Sequence, residues 1–278
     1  MDKFKLELFF QILGIGATSG LVFENDSLFL ISDSSSFLYE YNFSSERLDK
    51  IKLFENSRES ILKKDKPDFE SIVKIENSIL LLGSGSTQKR MLAAKYDLKT
   101  KKSIATDLTD LFRKISELTG VDDENLNIEG AVNYQNNWLL FQRGNGSANQ
   151  NGIVILKESL ENPSTITFVP LILPTEKAVN STFTDAILVE GKIYFLAAAE
   201  DSNSTFEDGV VLGSWIGVLN PESFELEMVE KITDHHKFEG LTVYQNSTAE
   251  IIFLLCEDND TEILKSDIYK LTIKKTIR

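Results

Sequence analysis

The chain is poor in the residues that most covalent and transition-metal chemistry uses. Its 278 residues include one cysteine, two histidines and five prolines. The single cysteine, Cys256, excludes an internal disulfide, and its place in the apolar run IIFLLC reads as a small core residue rather than a nucleophile. His235 and His236 stand together in the polar stretch DHHK with no cysteine or further histidine to complete a metal site, so both are expected at the surface. No G-x-S-x-G elbow, H-E-x-x-H pair or P-loop is present. Long apolar runs are also missing, which leaves no candidate transmembrane helix. The start, MDKFKLELFFQILGIG, alternates charge and carries no small-residue cleavage site, so a cytoplasmic location is expected, or an extracytoplasmic one if a leader has been trimmed.

Positive charge is the other shortage. Lys and Arg number 29 against 43 Asp and Glu, a formal net charge of −14. A surface of that sign suits neither nucleic acid nor an anionic membrane. The expected partner is a small molecule or a protein, with cations and neutral ligands fitting the charge best. A hydrophobic content of 42% is ample for a large core, and 1–278 reads as one domain.

What the chain has in quantity is repetition. Five segments share an acidic or small residue, then Gly, Ala or Ser, then an apolar strand: TSGLVF at 18–23, FESIVK at 69–74, IEGAVN at 128–133, TDAILV at 184–189 and FEGLTV at 238–243. Anchored on Ser19, Glu70, Glu129, Asp185 and Glu239, they are spaced by 51, 59, 56 and 54 residues. Strand-rich repeats of this length indicate an all-β, five-bladed β-propeller of four-stranded antiparallel blades, with six blades as the alternative. After each anchor come a turn (ENDS, IENS, YQNN, VEGK, YQNS) and a more apolar second strand such as SLFLIS or SILLLG. The last copy lacks a fourth strand. KLELFFQI at 5–12 supplies it, which predicts that the N-terminal strand closes the ring against DIYKLTI at 267–273. One insertion, DLTDLFRKISELTG, spaces Leu108, Leu111, Phe112, Ile115 and Leu118 as a helix, with Thr109 as cap and Gly120 as stop, packed on the rim or over one face.

Strand direction places the anchors and the loops after each second strand on one rim of the channel. That rim gathers Glu70, Glu129, Asp185 and Glu239 with Asp33, Lys89, Arg90, Arg143, Glu200, Asp201, Glu257, Asp258 and Asp260. Like-charged carboxylates about 5 Å apart cost about 3 kcal/mol per pair at an effective dielectric near 20. Relief requires a bound cation, shared protons, or the neighbouring Arg90 and Arg143. For a rigid oxygen cage Ca²⁺ fits best and Mg²⁺ next, with Glu70, Glu129, Asp185 and Glu239 as ligands. Two other readings stay open: the four carboxylates as staples bonding the backbone of the next blade, or as acid–base catalysts. The Gly/Ser loops GSGS at 83–86 and RGNGS at 143–147 could offer N–H groups to an anion beside Arg90 or Arg143. DSNSTFED at 201–208 has the composition of a Ca²⁺ loop without EF-hand spacing.

SGL, EGA, EGL and above all TDAILVEGKIYFLAAAEDSNSTFEDGVVLGSWIG resemble uncharacterised bacterial propellers related to the phytase-like, "esterase-like activity of phytase" group. The resemblance spans nearly the whole chain, implies the propeller fold, and marks Glu129, Asp185, Glu200, Asp201 and Glu239. A looser likeness to Ca²⁺-dependent lactonases of the gluconolactonase type would add a metal held by inner-strand carboxylates. The expected role is a soluble binding or scaffold protein with a carboxylate-lined mouth that can hold a divalent cation, with Arg90, Arg143, Glu200, Asp201 and Asp258 facing the ligand. The alternative is a metal-dependent hydrolase of an ester, lactone or phosphoester.

Overall fold

Strand β1 (Phe4–Leu13) pairs antiparallel with the last strand of the chain, Phe4 opposite Ile273 and Leu13 opposite Lys265. The computed structural model describes residues 4–122, 125–145, 149–201, 209–258 and 263–275. Blade one comprises β2 (Thr18–Glu24), β3 (Ser27–Ser32), β4 (Phe37–Asn42) and β5 (Arg47–Lys52). Blade two comprises β6 (Phe69–Ile75), β7 (Ser78–Gly83), β8 (Leu92–Asp97) and β9 (Lys102–Asp107), followed by α1 (Thr109–Thr119). Blade three holds β10 (Ile128–Tyr134), β11 (Asn137–Gln142), β12 (Gly152–Lys157) and β13 (Ile166–Pro170). A hairpin of β14 (Thr175–Glu176) and β15 (Val179–Asn180) leads to blade four, β16 (Thr182–Val189), β17 (Lys192–Asp201), β18 (Val210–Leu219) and β19 (Leu226–Thr233). Blade five is β20 (Phe238–Asn246), β21 (Glu250–Glu257) and β22 (Lys265–Lys274), completed by β1.

The inner hairpins close as their sequences require. Asn25–Asp26, Gln135–Asn136 and Glu190–Gly191 all have positive φ, the geometry of two-residue turns whose twist matches the strands they join. Second strands are buried along almost their whole length, and five apolar clusters fill the five seams between blades. The seam between blades five and one joins Ile12 and Ile268 to Leu21 and Leu28, so ring closure rests on packing as well as on the β1–β22 ladder. No helix among the described residues is long and apolar enough to cross a membrane.

Helix α1 lies in the seam between blades two and three, with Leu111, Phe112 and Ile115 buried against Leu82, Met91 and Ile128 and Leu118 exposed. Gly120 ends it as expected, at φ 69°, donating its N–H to Ser116 O at 2.9 Å. The start differs from expectation. Thr109 makes no side-chain cap; instead Asp107 Oδ1 accepts the Thr109 N–H at 2.8 Å. The GSGS segment runs beneath this helix. Gly85 has φ +84°, and a Cβ there would lie 2.4 Å from the Phe112 ring, so its glycine is required by both backbone and packing.

Candidate functional site at the charged mouth

Each inner strand carries a β-bulge at the same height. The extra residue is Ser19, Glu70, Glu129, Thr184 or Glu239, each lacking a partner on the second strand. A bulge re-aims the side chain it carries, and here it brings these residues together around the fivefold axis. The structural frame therefore aligns Thr184, not Asp185, with the three glutamates. Ser19 and Thr184 donate their hydroxyls to Phe69 O and Phe238 O of the next blade, each at 2.6 Å. One position on stand Gly20, Gly130 and Gly240, where adjacent inner strands approach closely. A Cβ on Gly130 would lie 2.8 Å from Ala186 N, and one on Gly240 would lie 2.9 Å from Gly20 Cα.

Two residues before the bulge, on the same face, sit Asp68, Asn127 and Lys237. Each bulged glutamate thus belongs to a polar–apolar–Glu triplet: Asp68-Phe69-Glu70, Asn127-Ile128-Glu129, Lys237-Phe238-Glu239. Phe69, Ile128 and Phe238, fully buried, lock these triplets into the seams. The residue that follows the end of the second strand supplies Asp33, Arg143 and Asp258, and the long β17 of blade four supplies Glu200.

Arg143 is the hub of one half of the ring. Its Nη1 lies 3.0 Å from Glu129 Oε1 and 3.6 Å from Glu239 Oε1, and its Nη2 bonds Glu200. Lys237 Nζ lies 3.1 Å from Glu239 and 3.4 Å from Glu200 Oε1, with Asp258 at 4.0 Å. Asn127 Nδ2 donates to Glu129 at 2.7 Å. Arg143 Nε and Glu200 Oε1 are buried without a hydrogen bond, the latter within ion-pair reach of Lys237 but outside bonding geometry. The other half centres on Asp68, which pairs with Lys66 at 2.7 Å and with Arg90 Nη1 at 2.7 Å. Lys66 also bonds Asp33, and Arg90 is fixed further by Ser86 Oγ and Lys63 O, each at 2.9 Å. Asp33, Asp68 and Glu70 offer carboxylate oxygens within 4.8 Å of one another.

Seven carboxylates (Asp33, Asp68, Glu70, Glu129, Glu200, Glu239, Asp258) therefore meet four cations (Lys66, Arg90, Arg143, Lys237) among the described residues. Burial opposes the charge on Lys66, Arg143 and Lys237, but the carboxylates around them prevail and hold all three above their ordinary pKa. On the acidic side burial dominates. It raises Glu70 well above the carboxylate range, assisted by Asp68, Glu129, Glu239 and Asp33. Glu129 is also raised, against the pull of Arg143 and Lys237. Glu239 is pushed up to about 8 by burial, with Lys237 opposing and Asp258 and Glu129 adding to the rise.

The sequence-selected residues separate by where the fold places them. Glu70, Glu129, Glu239, Arg90, Arg143, Glu200, Asp258 and Asp33 converge at the mouth. Asp185 lies one step below it with both oxygens engaged by backbone: Oδ1 accepts the Ala186 N–H and Oδ2 the Leu241 N–H of blade five, each at 2.7 Å. Asp201 is exposed at the end of β17, and Lys89 pairs outward with Asp65. Asp260 and residues 202–208 lie outside the described residues, as do Gly146 and Ser147 of RGNGS. Ser84 and Ser86 of GSGS are buried, Ser84 bonding Asp68 and Ser86 bonding Arg90, so that loop serves the internal network. His236 is half-buried against blade five, with Nδ1 2.7 Å from Glu257, which also accepts from Tyr269 OH at 3.0 Å. Sequence reasoning missed Lys66, Asp68, Asn127 and Lys237; the repeated polar–apolar–Glu triplet was the available signal for all but Lys66.

Beside the ring lies a cavity of about 700 Å³ lined by Asp33, Ser34, Tyr39, Glu59 and Asp258. Asp33 Oδ1 is buried and accepts no hydrogen bond. The opposite end of the channel is a smaller hollow of about 340 Å³ lined mainly by aliphatic residues such as Val73, Ile187 and Val243, with Lys74, Asn133 and Thr242 and no acidic group. The two mouths are chemically unlike.

Solved structures of similar fold include the major allergen Mala s 1 of Malassezia sympodialis, with TM-score 0.59 and 8% identity, covering 94% of this chain and 95% of that one. A luciferin-regenerating enzyme aligns with TM-score 0.50 and 10% identity over 98% and 97% of the two chains. The arabinanase Arb43A of Bacillus subtilis gives 0.50 and 9% over 93% and 94%. At these identities the likeness is one of fold. No curated protein sequence matches the chain. Residues 14–273, from the turn after β1 almost to the end of β22, match a family of unknown function, DUF6929, and the chain belongs to that family.

Proposed function

We propose that this propeller is a binding protein whose charged mouth receives a small cation, either a divalent metal ion, with Ca²⁺ favoured, or a primary amine. The observation that carries the reading is the buried, unpartnered Asp33 Oδ1 beside a cavity whose other acidic walls are Glu59 and Asp258. The excess of carboxylates over cations in the adjoining ring supports the same sign of ligand. A metal would draw on Asp33, Asp68 and Glu70. Lys66 already bridges Asp33 and Asp68, so a divalent ion there competes with an ammonium that the chain itself supplies.

The test is a thermal melt of metal-stripped protein with millimolar Ca²⁺, Mg²⁺ or spermidine. Selective binding to the native state raises stability by about 2.7 kcal/mol at a hundredfold excess over Kd. The expected result is a rise with Ca²⁺ or spermidine that Asp33→Asn abolishes. No shift with any cation would refute the reading.

A second reading, metal-assisted hydrolysis of an ester, lactone or phosphoester as the phytase-like resemblance implies, draws on the closeness of Asp33, Asp68 and Glu70. Arg90 and Arg143, which would steady an anionic substrate, are buried and engaged by carboxylates, and this favours binding over turnover. Ca²⁺-dependent hydrolysis of a p-nitrophenyl ester, lost in Glu70→Gln, would reverse that preference.

A further inference from the structure

A cleft of about 1000 Å³ opens between blades one and two, separated from the cavity beside the ring by the 59–62 segment, which lines both. One part of its wall is an apolar patch of Phe54, Leu62, Met91, Leu92 and Ala105, with Leu62 67% exposed, and the remainder is polar or charged. The wall formed by the β5–β6 connection is preorganised. Ser36 Oγ accepts the Arg58 N–H at 2.7 Å, and Ser36 N donates to Arg58 O at 3.0 Å. Ser57 Oγ accepts the N–H groups of Leu53 and Phe54 at 3.1 and 2.9 Å, and Phe54 stacks on Phe69 at 6.2 Å.

The charges of the lining are accounted for with one exception. Glu59 pairs with Lys50 at 2.8 Å and accepts from Tyr39 OH at 2.8 Å. Asp65 pairs with Lys89, and Asp107 is engaged by the start of α1. Only the Arg58 guanidinium has no side-chain partner among the described residues. A large cleft with an apolar patch, its other charges paired or hydrogen-bonded within the protein, and one planar, permanently charged donor group left over matches a ligand that joins an apolar body to a carboxylate.

We propose that this cleft binds a small amphipathic carboxylate, with Arg58 taking the carboxylate and Phe54, Leu62, Met91 and Leu92 taking the apolar body. The site shares the 59–62 wall with the cavity beside the ring but does not require a cation there. The probes are decanoate, decanol and decylamine, titrated calorimetrically below their micelle concentrations at low ionic strength. Decanoate should bind at one site. Decanol should bind at least about tenfold more weakly, the loss of one charge-assisted contact, and decylamine should not bind. Arg58→Gln should weaken decanoate by about tenfold or more while leaving the affinity for decanol unchanged. Ala105→Trp, on the exposed outer strand, should fill the cleft and abolish binding while the protein melts as the wild type does. Equal affinity for the three probes, no binding of decanoate, or an Arg58→Gln protein that binds decanoate normally would overturn the proposal.

Discussion

Both carboxylate oxygens of Asp185 accept backbone N–H groups, one from Ala186 beside it and one from Leu241 across the blade boundary. Burial raises its pKa well above the ordinary value even though those two N–H groups pull it down. Truncation would leave two buried donors unsatisfied, at about 1–3 kcal/mol each. Asp185→Ala should therefore lose about 2–6 kcal/mol in urea unfolding, and Ca²⁺ should not restore it. Glu239 behaves differently because it faces both signs: Lys237 and Arg143 on one side, Asp258 and Glu129 on the other. Its folded pKa of about 8 lies above an unfolded value of about 4.3. The native state then holds more protons between these values, so its contribution is complete below about pH 4.3 and is lost as pH rises through 8. The melting temperature should fall from pH 5 to pH 9, and Glu239→Gln should flatten that slope. The glutamates themselves are readable from composition and spacing. Asp185 enters their company by chemical type alone, because residue identity does not show which backbone position is bulged. Lys237 and Lys66 escape notice because they precede the strands, where lysines ordinarily mark solvent.

Among the elements, β1 has the clearest consequence for folding. The incomplete last repeat and the spare strand at the other end made this pairing legible, since an open blade leaves an unpaired edge. Removing residues 1–12 strips the β22 edge and takes Ile12 from the seam between blades five and one. The truncated chain should aggregate or melt without cooperativity; a monomeric truncation with an unchanged transition would contradict the closure. Helix α1 was equally legible from its 3.6-residue spacing. Its cap was not, because Asp107 belongs to β9 and only the turn of the chain there brings its carboxylate to the Thr109 N–H. The five bulges left no direct trace in the sequence. They are a mismatch of register between two strands, and each strand alone reads as regular.

At the scale of the whole molecule, the propeller brings five strand starts to one axis, so residues some 50 positions apart in the chain become neighbours at the mouth. Acids gathered in that way need compensation, and the chain provides most of it internally. Lys66, Arg90, Arg143 and Lys237 are each less than 10% exposed and each contacts a carboxylate of the ring. Removing one partner of such a buried pair costs about 3–5 kcal/mol, since the remaining charge is left without water or counter-charge. Lys66 offers the most direct test, because it bridges Asp33 and Asp68, two of the three carboxylates placed to share a cation. The measurement is urea unfolding of Lys66→Met in chelator and then in millimolar Ca²⁺, beside the wild type. Lys66→Met should lose about 3–5 kcal/mol in chelator and recover in Ca²⁺ by more than any gain the wild type shows. A variant as stable as the wild type in chelator, or a deficit that Ca²⁺ leaves untouched, would contradict that role for Lys66.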